Sequence, residues 1–398
     1  MHPRIIAAVL LVLGALLSSC ASLDRLPAIS SDKAREITFH GISDARFYPT
    51  DSRRIYEIAD KAYARGRGVR GSSPITYLAV SGGGDDGAFG AGLLAGWSEN
   101  GSMPVFDVVT GVSTGSLTAP FAFLGRDYEA RLKNVYTETE AAEVFRKRSI
   151  LAVIADDAMT DSAPLRKMIA DHLDETMVRR IAEEYRKGRL LLILTTNLDQ
   201  GRPVIWNLGA IADSNDPQAR ELIIQILLAS SSIPGVFPPV MLDVTVDGQN
   251  YQEMHVDGGT VAQAFLYPPS YSVQRASAKM SAAERQVRLN RKRIAYVIRN
   301  GRLTRAENTV KLQTLAIAKE ALNTMIASSG VNDTFRMYLT TRRDRVDFNL
   351  TAIGGDFEVP YSGPFDPGYM RALYEYGYRQ GRSGPKWQKA PPGYIENE

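Results

Sequence analysis

Residues 79–116 read AVSGGGDDGAFGAGLLAGWSENGSMPVFDVVTGVSTGS. An apolar run, Ile75 to Val80, enters a glycine cluster: Gly82, Gly83 and Gly84 in a row, then Gly87, Gly90 and Gly92. A helix-like segment follows, Ala88 to Trp97. A second apolar run, Val105 to Thr110, enters Gly111-Val112-Ser113-Thr114-Gly115. Two strand–turn–helix units therefore lie back to back. The second is a G-x-S-x-G, the pattern of a nucleophile elbow, in which a sharp turn exposes Ser113 Oγ and glycines on both sides make room for the tight backbone. The helix after it aims its N-terminal N–H groups at the reacting centre. In the first unit, glycines let a substrate come close to free backbone N–H groups. Such donors suit an oxyanion hole, where they meet the charge that develops in acyl transfer. The same cluster also spells GxGxxG, from Gly82 to Gly87, which a dinucleotide site would use.

The pair in this order and spacing is more specific than either motif alone. It resembles the patatin-like phospholipase family, whose signatures are G-G-G-x-[RK]-G, G-x-S-x-G and a later D-G-[AG]. The third is present as Asp257-Gly258-Gly259. The stretch Ala229 to Pro239, ASSSIPGVFPP, is similar to the block that precedes it in that family. The resemblance runs from about Ile75 to Pro268. It implies a three-layer α/β sandwich with a mainly parallel central sheet, over residues 74–268. Residues 20–73 are expected to be a tether and one packing helix, and residues 269–398 a C-terminal α/β extension.

The chain has 398 residues, 44% hydrophobic and 23% charged, ordinary for a globular protein. A net charge of +3, with no run of five basic residues, argues against a nucleic-acid partner. The first residues differ from the rest. His2 and Arg4 precede an apolar stretch, Ile5 to Leu17, too short to span a bilayer comfortably. Residues 1–19 read as an export signal. They end Leu17-Ser18-Ser19-Cys20, which matches the bacterial lipobox, so Cys20 is expected to carry a lipid anchor. Cys20 is also the only cysteine, and one thiol cannot make an internal bridge. Ala21 after it fits sorting to the outer membrane.

Along the rest of the chain, Asp51 to Ala64 has helical spacing, and Pro164 to Tyr185 reads as one helix. Leu190 to Thr196 is a fully apolar strand of the buried kind. Val240 to Val246 and Tyr251 to Val256, joined by Asp247-Gly248, read as a β-hairpin. Arg293 to Arg299 and Val346 to Ile353 read as strands, Asn308 to Ser328 as a long helix, and Pro367 to Gly381 as a final one. Strands alternating with helices argue for a parallel α/β sheet.

A serine hydroxyl needs a base. The histidines are His2, His40, His172 and His255, and none lies after Asp257. That excludes the order in which the histidine comes last. The resemblance implies a dyad in which Ser113 attacks and Asp257 accepts its proton. The rival is a triad through His255. On a strand, His255 and Asp257 share a face about 7 Å apart, side by side, which does not easily form a relay. The third possibility for His255 is a purely structural role.

The expected site is Ser113 and Asp257 as catalytic residues and Gly82, Gly83 and Gly84 as oxyanion donors. Gly87, Gly111, Gly115, Gly258 and Gly259 support the motifs. One position departs from the family pattern: Asp86 stands where the family has Arg or Lys. Asp85 and Asp86 are expected to cap the helix that starts at Gly87 and to point away from the substrate. No metal or cofactor is expected, since no His/Asp cluster has ligand spacing. The expected function is a lipid acyl hydrolase held against its lipid substrate by the anchor. The alternatives are an inactive lipoprotein scaffold of the same fold and a nucleotide-binding domain using the glycine loop.

Overall fold

The computed structural model describes residues 25–30, 33–34, 38–70, 73–138, 146–147, 160–278, 280–304, 309–361 and 363–394. Cys20 and the export segment lie outside them. The elements that carry the argument are, in order, β1 (Arg46–Phe47), α1 (Ser52–Arg70), β2 (Ile75–Val80), α2 (Gly87–Glu99), β3 (Val108–Val112) and α3 (Thr114–Leu124). Then come α4 (Glu129–Thr137), α5 (Ala163–His172), α6 (Glu175–Arg186), β4 (Leu190–Asn197), β5 (Arg202–Asn207) and α7 (Ala219–Ser230). Last are β6 (Val240–Val246), β7 (Gln249–Asp257), β8 (Arg293–Arg299), α8 (Thr314–Asp344), β9 (Asp347–Ala352) and α9 (Pro367–Arg382).

Every residue of β4 is buried, as a strand covered on both faces must be. It lies inside a nine-stranded sheet of order β1-β5-β4-β3-β2-β8-β9, with β7 pairing to the end of β4 and β6 to β7. Strands β4, β3, β2, β8 and β9 run parallel, while β5 and β7 each pair antiparallel with β4, β1 pairs antiparallel with β5, and β6 pairs antiparallel with β7. The hairpin turns at Asp247 and Gly248, both with positive φ (51° and 74°), as a two-residue turn that follows strand twist requires. Residues beyond 268 thus supply two strands, β8 and β9, of the same sheet.

Three layers follow from side-chain alternation along β2. Leu78 and Val80 pack with α2, α3, α6, α7 and α9 on one face. Tyr77 and Ala79 pack with Met337 and Tyr338 of α8 on the other, where α1 also covers Leu190 and Leu192. Because α2 leaves β2 to one face and α8 leaves β8 to the opposite face, the β2–β8 boundary is a topological switch point. In open α/β sheets that is where the crevice at the carboxyl ends of the strands binds ligands.

Two boundaries differ from expectation. The segment 164–185 is two helices, because Asp174 takes an extended backbone and its side chain accepts from Met177 N at 2.8 Å, starting α6 afresh. Helix α8 begins at Thr314 and runs on to Asp344, well past Ser328. Gly330 does not stop it, since the space a side chain would need is filled by Arg299, with Cζ 2.4 Å from an ideal Cβ.

Helices α2 and α9 cross at backbone contact. A Cβ on Gly92 would lie 2.0 Å from Tyr374 O, and one on Gly381 would lie 2.2 Å from Leu93 O. The two helices approach this closely only because glycine has no side chain.

Candidate active site

Ser113 follows directly on β3 and precedes α3, with φ 54° and ψ −129°. A non-glycine residue in this conformation is strained and persists only where its surroundings hold it. Ser113 N donates to Ser230 Oγ at 3.1 Å. Ser113 O accepts from Ser116 Oγ at 2.6 Å and Ser231 Oγ at 3.3 Å. Gly115 lets the elbow fold onto β2, since a Cβ there would fall 2.2 Å from Val80 O. Gly111 is packed in the same way on Gly115 O, and Gly87 on Thr114 Oγ1.

Asp257 closes β7, opposite Thr195 of β4, while Val112 lies opposite Leu194. The register therefore brings Ser113 and Asp257 to neighbouring strand ends. Ser113 Oγ donates to Asp257 Oδ2 at 2.6 Å, and Gly259 N donates to Oδ1 at 2.6 Å. Gly258 fits against Leu194 O, where a Cβ would lie 2.4 Å away. Both Ser113 and Asp257 are buried, 7% and 4% exposed. Burial pushes the Asp257 carboxyl up to about 7, against the pull of the hydrogen bonds from Ser113 and Gly259. A carboxylate that titrates near neutrality, in contact with a hydroxyl, is matched to proton transfer.

His255 is not part of this contact. It is fully buried, with Nδ1 2.9 Å from Thr195 Oγ1 and Nε2 3.0 Å from Glu253 Oε2. Arg46 forks onto the same Glu253, with Nη1 on Oε2 and Nη2 3.0 Å from Oε1. Burial alone would raise the Glu253 carboxyl, but the Arg46 charge and the bonds from His255 and Arg46 hold it down at about 2. Burial lowers the His255 imidazole, which keeps it neutral.

The glycine loop corrects two expectations. Gly82 N donates to Gln263 O at 2.9 Å, so this N–H is already spent. The ladder continues past β2 because the chain after Asp257 runs alongside it. Among the described residues, no hydrogen bond occupies the N–H of Gly83 or Gly84. Gly84 has φ 57°, borders the same pocket as Ser113, and has open space where a side chain would be. Secondly, Asp85 and Asp86 do not cap α2. Asp85 Oδ2 accepts from Phe365 N at 2.6 Å, and Asp86 Oδ1 from the Tyr369 hydroxyl at 2.8 Å. Asp86 itself sits at the cap position with helical backbone, which turns its side chain from the orphan N–H groups toward α9. Burial raises both carboxyls.

Several positioning residues carry no motif. Asn300, just after β8, donates from Nδ2 to Ser81 O at 2.9 Å, and its Oδ1 accepts from Gly90 N at 3.0 Å. Its backbone N donates to Ser81 Oγ at 2.8 Å. Arg299 beside it is buried and lies near enough to Asp86 for their charges to attract. Tyr136 bonds Thr114 Oγ1 at 2.8 Å and Thr118 Oγ1 at 2.9 Å, fixing the start of α3. The available signal was positional: Asn300 ends an apolar strand of a parallel sheet, the end at which sites form.

Ser113 opens into an apolar pocket of about 50 Å³ walled by Leu117, Val135, Met168, Phe237, Phe365 and Met370. A second space of about 20 Å³ continues from it past Leu117 and Met168 to Leu173 and Met177. A larger apolar cavity, about 130 Å³, lies under α1 at the opposite ends of the strands, remote from Ser113. Among the described residues, no group of three or more His, Cys, Asp or Glu could hold a metal. Nor is any helix long and apolar enough to cross a membrane.

Residues 78–268 match the family model described as patatin-like phospholipase. The chain carries a patatin-like phospholipase domain. The match spans Ser113, Asp257, the glycine loop and Gln263. No curated protein matches the chain. Among solved structures, it is similar to VipD from Legionella pneumophila at 13% identity and a TM-score of 0.38, covering 78% of this chain and 66% of that one. So distant a likeness bears no weight here. The patatin-like domain does not hold the whole site, because Asn300, Phe365 and Tyr369 come from beyond its last matched residue.

Proposed function

We propose that the protein is a lipid acyl hydrolase of the phospholipase A or esterase type, working through a Ser113–Asp257 dyad. The observation that carries this reading is the 2.6 Å contact between Ser113 Oγ and Asp257 Oδ2 at a strained elbow facing an apolar pocket. Ser113 Oγ attacks the ester carbonyl carbon as Asp257 takes its proton. The carbonyl oxygen, now an oxyanion, is met by the N–H groups of Gly83 and Gly84. Collapse of the tetrahedral species breaks the bond to the alcohol, which leaves with the proton from Asp257. Water, deprotonated by Asp257, then cleaves the acyl-serine ester, releasing the fatty acid and restoring the hydroxyl. The pocket walls of Leu117, Val135 and Met168 suit a hydrocarbon chain. We further propose that the protein is exported and held by a lipid on Cys20 at the outer membrane, which would keep it beside its substrate.

Product analysis with defined phospholipids tests the chemistry. Wild type releases fatty acid and the matching lysolipid, and Ser113→Ala and Asp257→Ala release none. A fluorophosphonate probe labels Ser113 in wild type. Turnover that survives Ser113→Ala would overturn the reading. Metabolic labelling with palmitate, lost in Cys20→Ser, tests the anchor.

A further inference from the structure

The cavity under α1 is separate from the Ser113 pocket. Val108 opens β3 and borders this cavity, while Ser113 follows the far end of the same strand. At ~3.3 Å per residue the two are about 17 Å apart. The roof is the inner side of α1, where Ile55, Ile58, Ala59, Ala62 and Tyr63 recur at helical spacing. Ala59 and Ala62 stand among larger neighbours and reach less far toward the sheet, which leaves the hollow. The floor is Tyr77 of β2, Val108 of β3, and Leu190 and Leu192 of β4. Protein interiors hold few voids larger than one water. This one measures about 130 Å³, and its apolar walls give water little to bond.

One end of the cavity is cationic. Arg293 opens β8, Arg291 precedes it, and Arg288 comes from the helix Ala282–Asn290; all three line the wall. Arg293 is 5% exposed, yet among the described residues its Nε has no hydrogen-bond partner, and neither has the buried Nη2 of Arg291. A guanidinium N–H left unmet away from water is costly, so such a group calls for a partner. The acids at hand are engaged. Asp107, on the wall, accepts from Thr76 N at 2.8 Å and from Thr76 Oγ1 at 3.1 Å, and Asp60 accepts from Arg288 at 3.0 Å. From β8 at this end to β4 at the other are three strand intervals. At ~4.8 Å each they span about 14 Å.

We propose that this cavity binds a fatty acid, its chain lying across the floor from β4 toward β2 and its carboxylate meeting Arg291 and Arg293. The two spare donor nitrogens suit the two oxygens of a carboxylate, and bonds between guanidinium and carboxylate are of the strong, charge-assisted kind. A mostly apolar hollow with a few placed polar groups is the form that small-molecule sites take. A fatty acid is also the class of compound that the proposed reaction releases. The site itself does not depend on that reaction.

The test uses the full chain carrying Ser113→Ala, titrated calorimetrically with dodecanoate, dodecanol and dodecyl phosphate below their micelle concentrations. Dodecanoate binds, and dodecanol binds at least about tenfold more weakly, because it brings no charge to the arginines. Arg291→Gln, at the head, and Ala62→Phe, in the hollow, each weaken dodecanoate at least about tenfold. Met168→Trp, in the Ser113 pocket, leaves its binding unchanged. Dodecanoate with a photoreactive group on its last carbon attaches to peptides of α1, a readout that needs no cavity variant to fold. Absent binding, equal binding of dodecanol, or tighter binding of dodecyl phosphate would overturn the proposal. So would loss in Met168→Trp, or attachment confined to peptides that hold Leu117 or Met168.

Discussion

The side-chain amide of Asn300 joins Ser81 O to Gly90 N, the two ends of the glycine loop, across some of the longest sequence separation in the fold. A loop of glycines has little conformational preference of its own, so its N–H groups are aimed by this outside brace. Asn300→Leu leaves both ends unpaired. We expect kcat to fall about 10–100-fold, within the range seen when an oxyanion donor is lost, and KM to change little. Steady-state kinetics on one defined ester check this split. A rise in KM at constant kcat would instead place Asn300 in substrate binding.

The proposed dyad ties activity to pH: as its general base Asp257 must be ionised, and burial pushes its carboxyl up to about 7. The acid limb of kcat/KM should therefore bend near pH 7 and fall about tenfold per unit below it. Stability has the opposite sign. A carboxyl whose folded pKa lies above its unfolded value binds more protons in the native state, so stability declines as pH rises from about 4 through about 7. Asp257→Asn keeps an acceptor for Gly259 and does not titrate. Its melting temperature should exceed that of wild type at pH 8, with the gap closing by pH 4, while its activity is abolished. Melting curves across that pH range decide it.

The bond from Tyr369 to Asp86 makes a different prediction. Asp86→Asn keeps an oxygen for the Tyr369 hydroxyl and should leave activity within a few fold. Tyr369→Phe leaves the half-buried Asp86 carboxyl without this partner and should cost about 1 kcal/mol of stability. In the Asp86→Asn background the same change should cost less, because a neutral amide is cheaper to leave unpaired. A double-mutant cycle from denaturant unfolding measures the difference.

Buried Arg46, Glu253 and His255 form a structural unit beside the site. Glu253→Ala removes one side of a buried ion pair and should cost about 3–5 kcal/mol. His255→Gln should retain most activity per folded molecule, unlike Asp257→Ala. Titration of active sites with a fluorophosphonate separates lost fold from lost chemistry.

Where residues 79–116 follow local rules, pattern alone was enough. An apolar run predicted each of β2, β3 and β4, and Asp247-Gly248 predicted the turn of the β6–β7 hairpin. Long-range partners were not readable. Nothing local to Gly82 says that Gln263 O takes its N–H. The carboxylates of Asp85 and Asp86 look like helix caps until Phe365, on the loop before α9, and Tyr369, in its first turn, claim them. The helix expected to stop at Ser328 runs on through Gly330, where Arg299 packs into the gap the glycine leaves, a partner nothing local announces. Asn300 bears no motif, since its role depends on which strand lies next to β2.

The glycine-to-backbone crossing of α2 and α9 has a consequence for timing. A ribosome releases the three recognisable motifs long before it releases Phe365, Tyr369 and Gly381. Until those last segments are made, Asp85 and Asp86 lack their partners and the helix leaving the glycine loop lacks its neighbour. A nascent or truncated polypeptide thus carries Ser113 and Asp257 before the segments that brace the neighbouring glycine loop exist, so the proposed site is completed only when synthesis is nearly done.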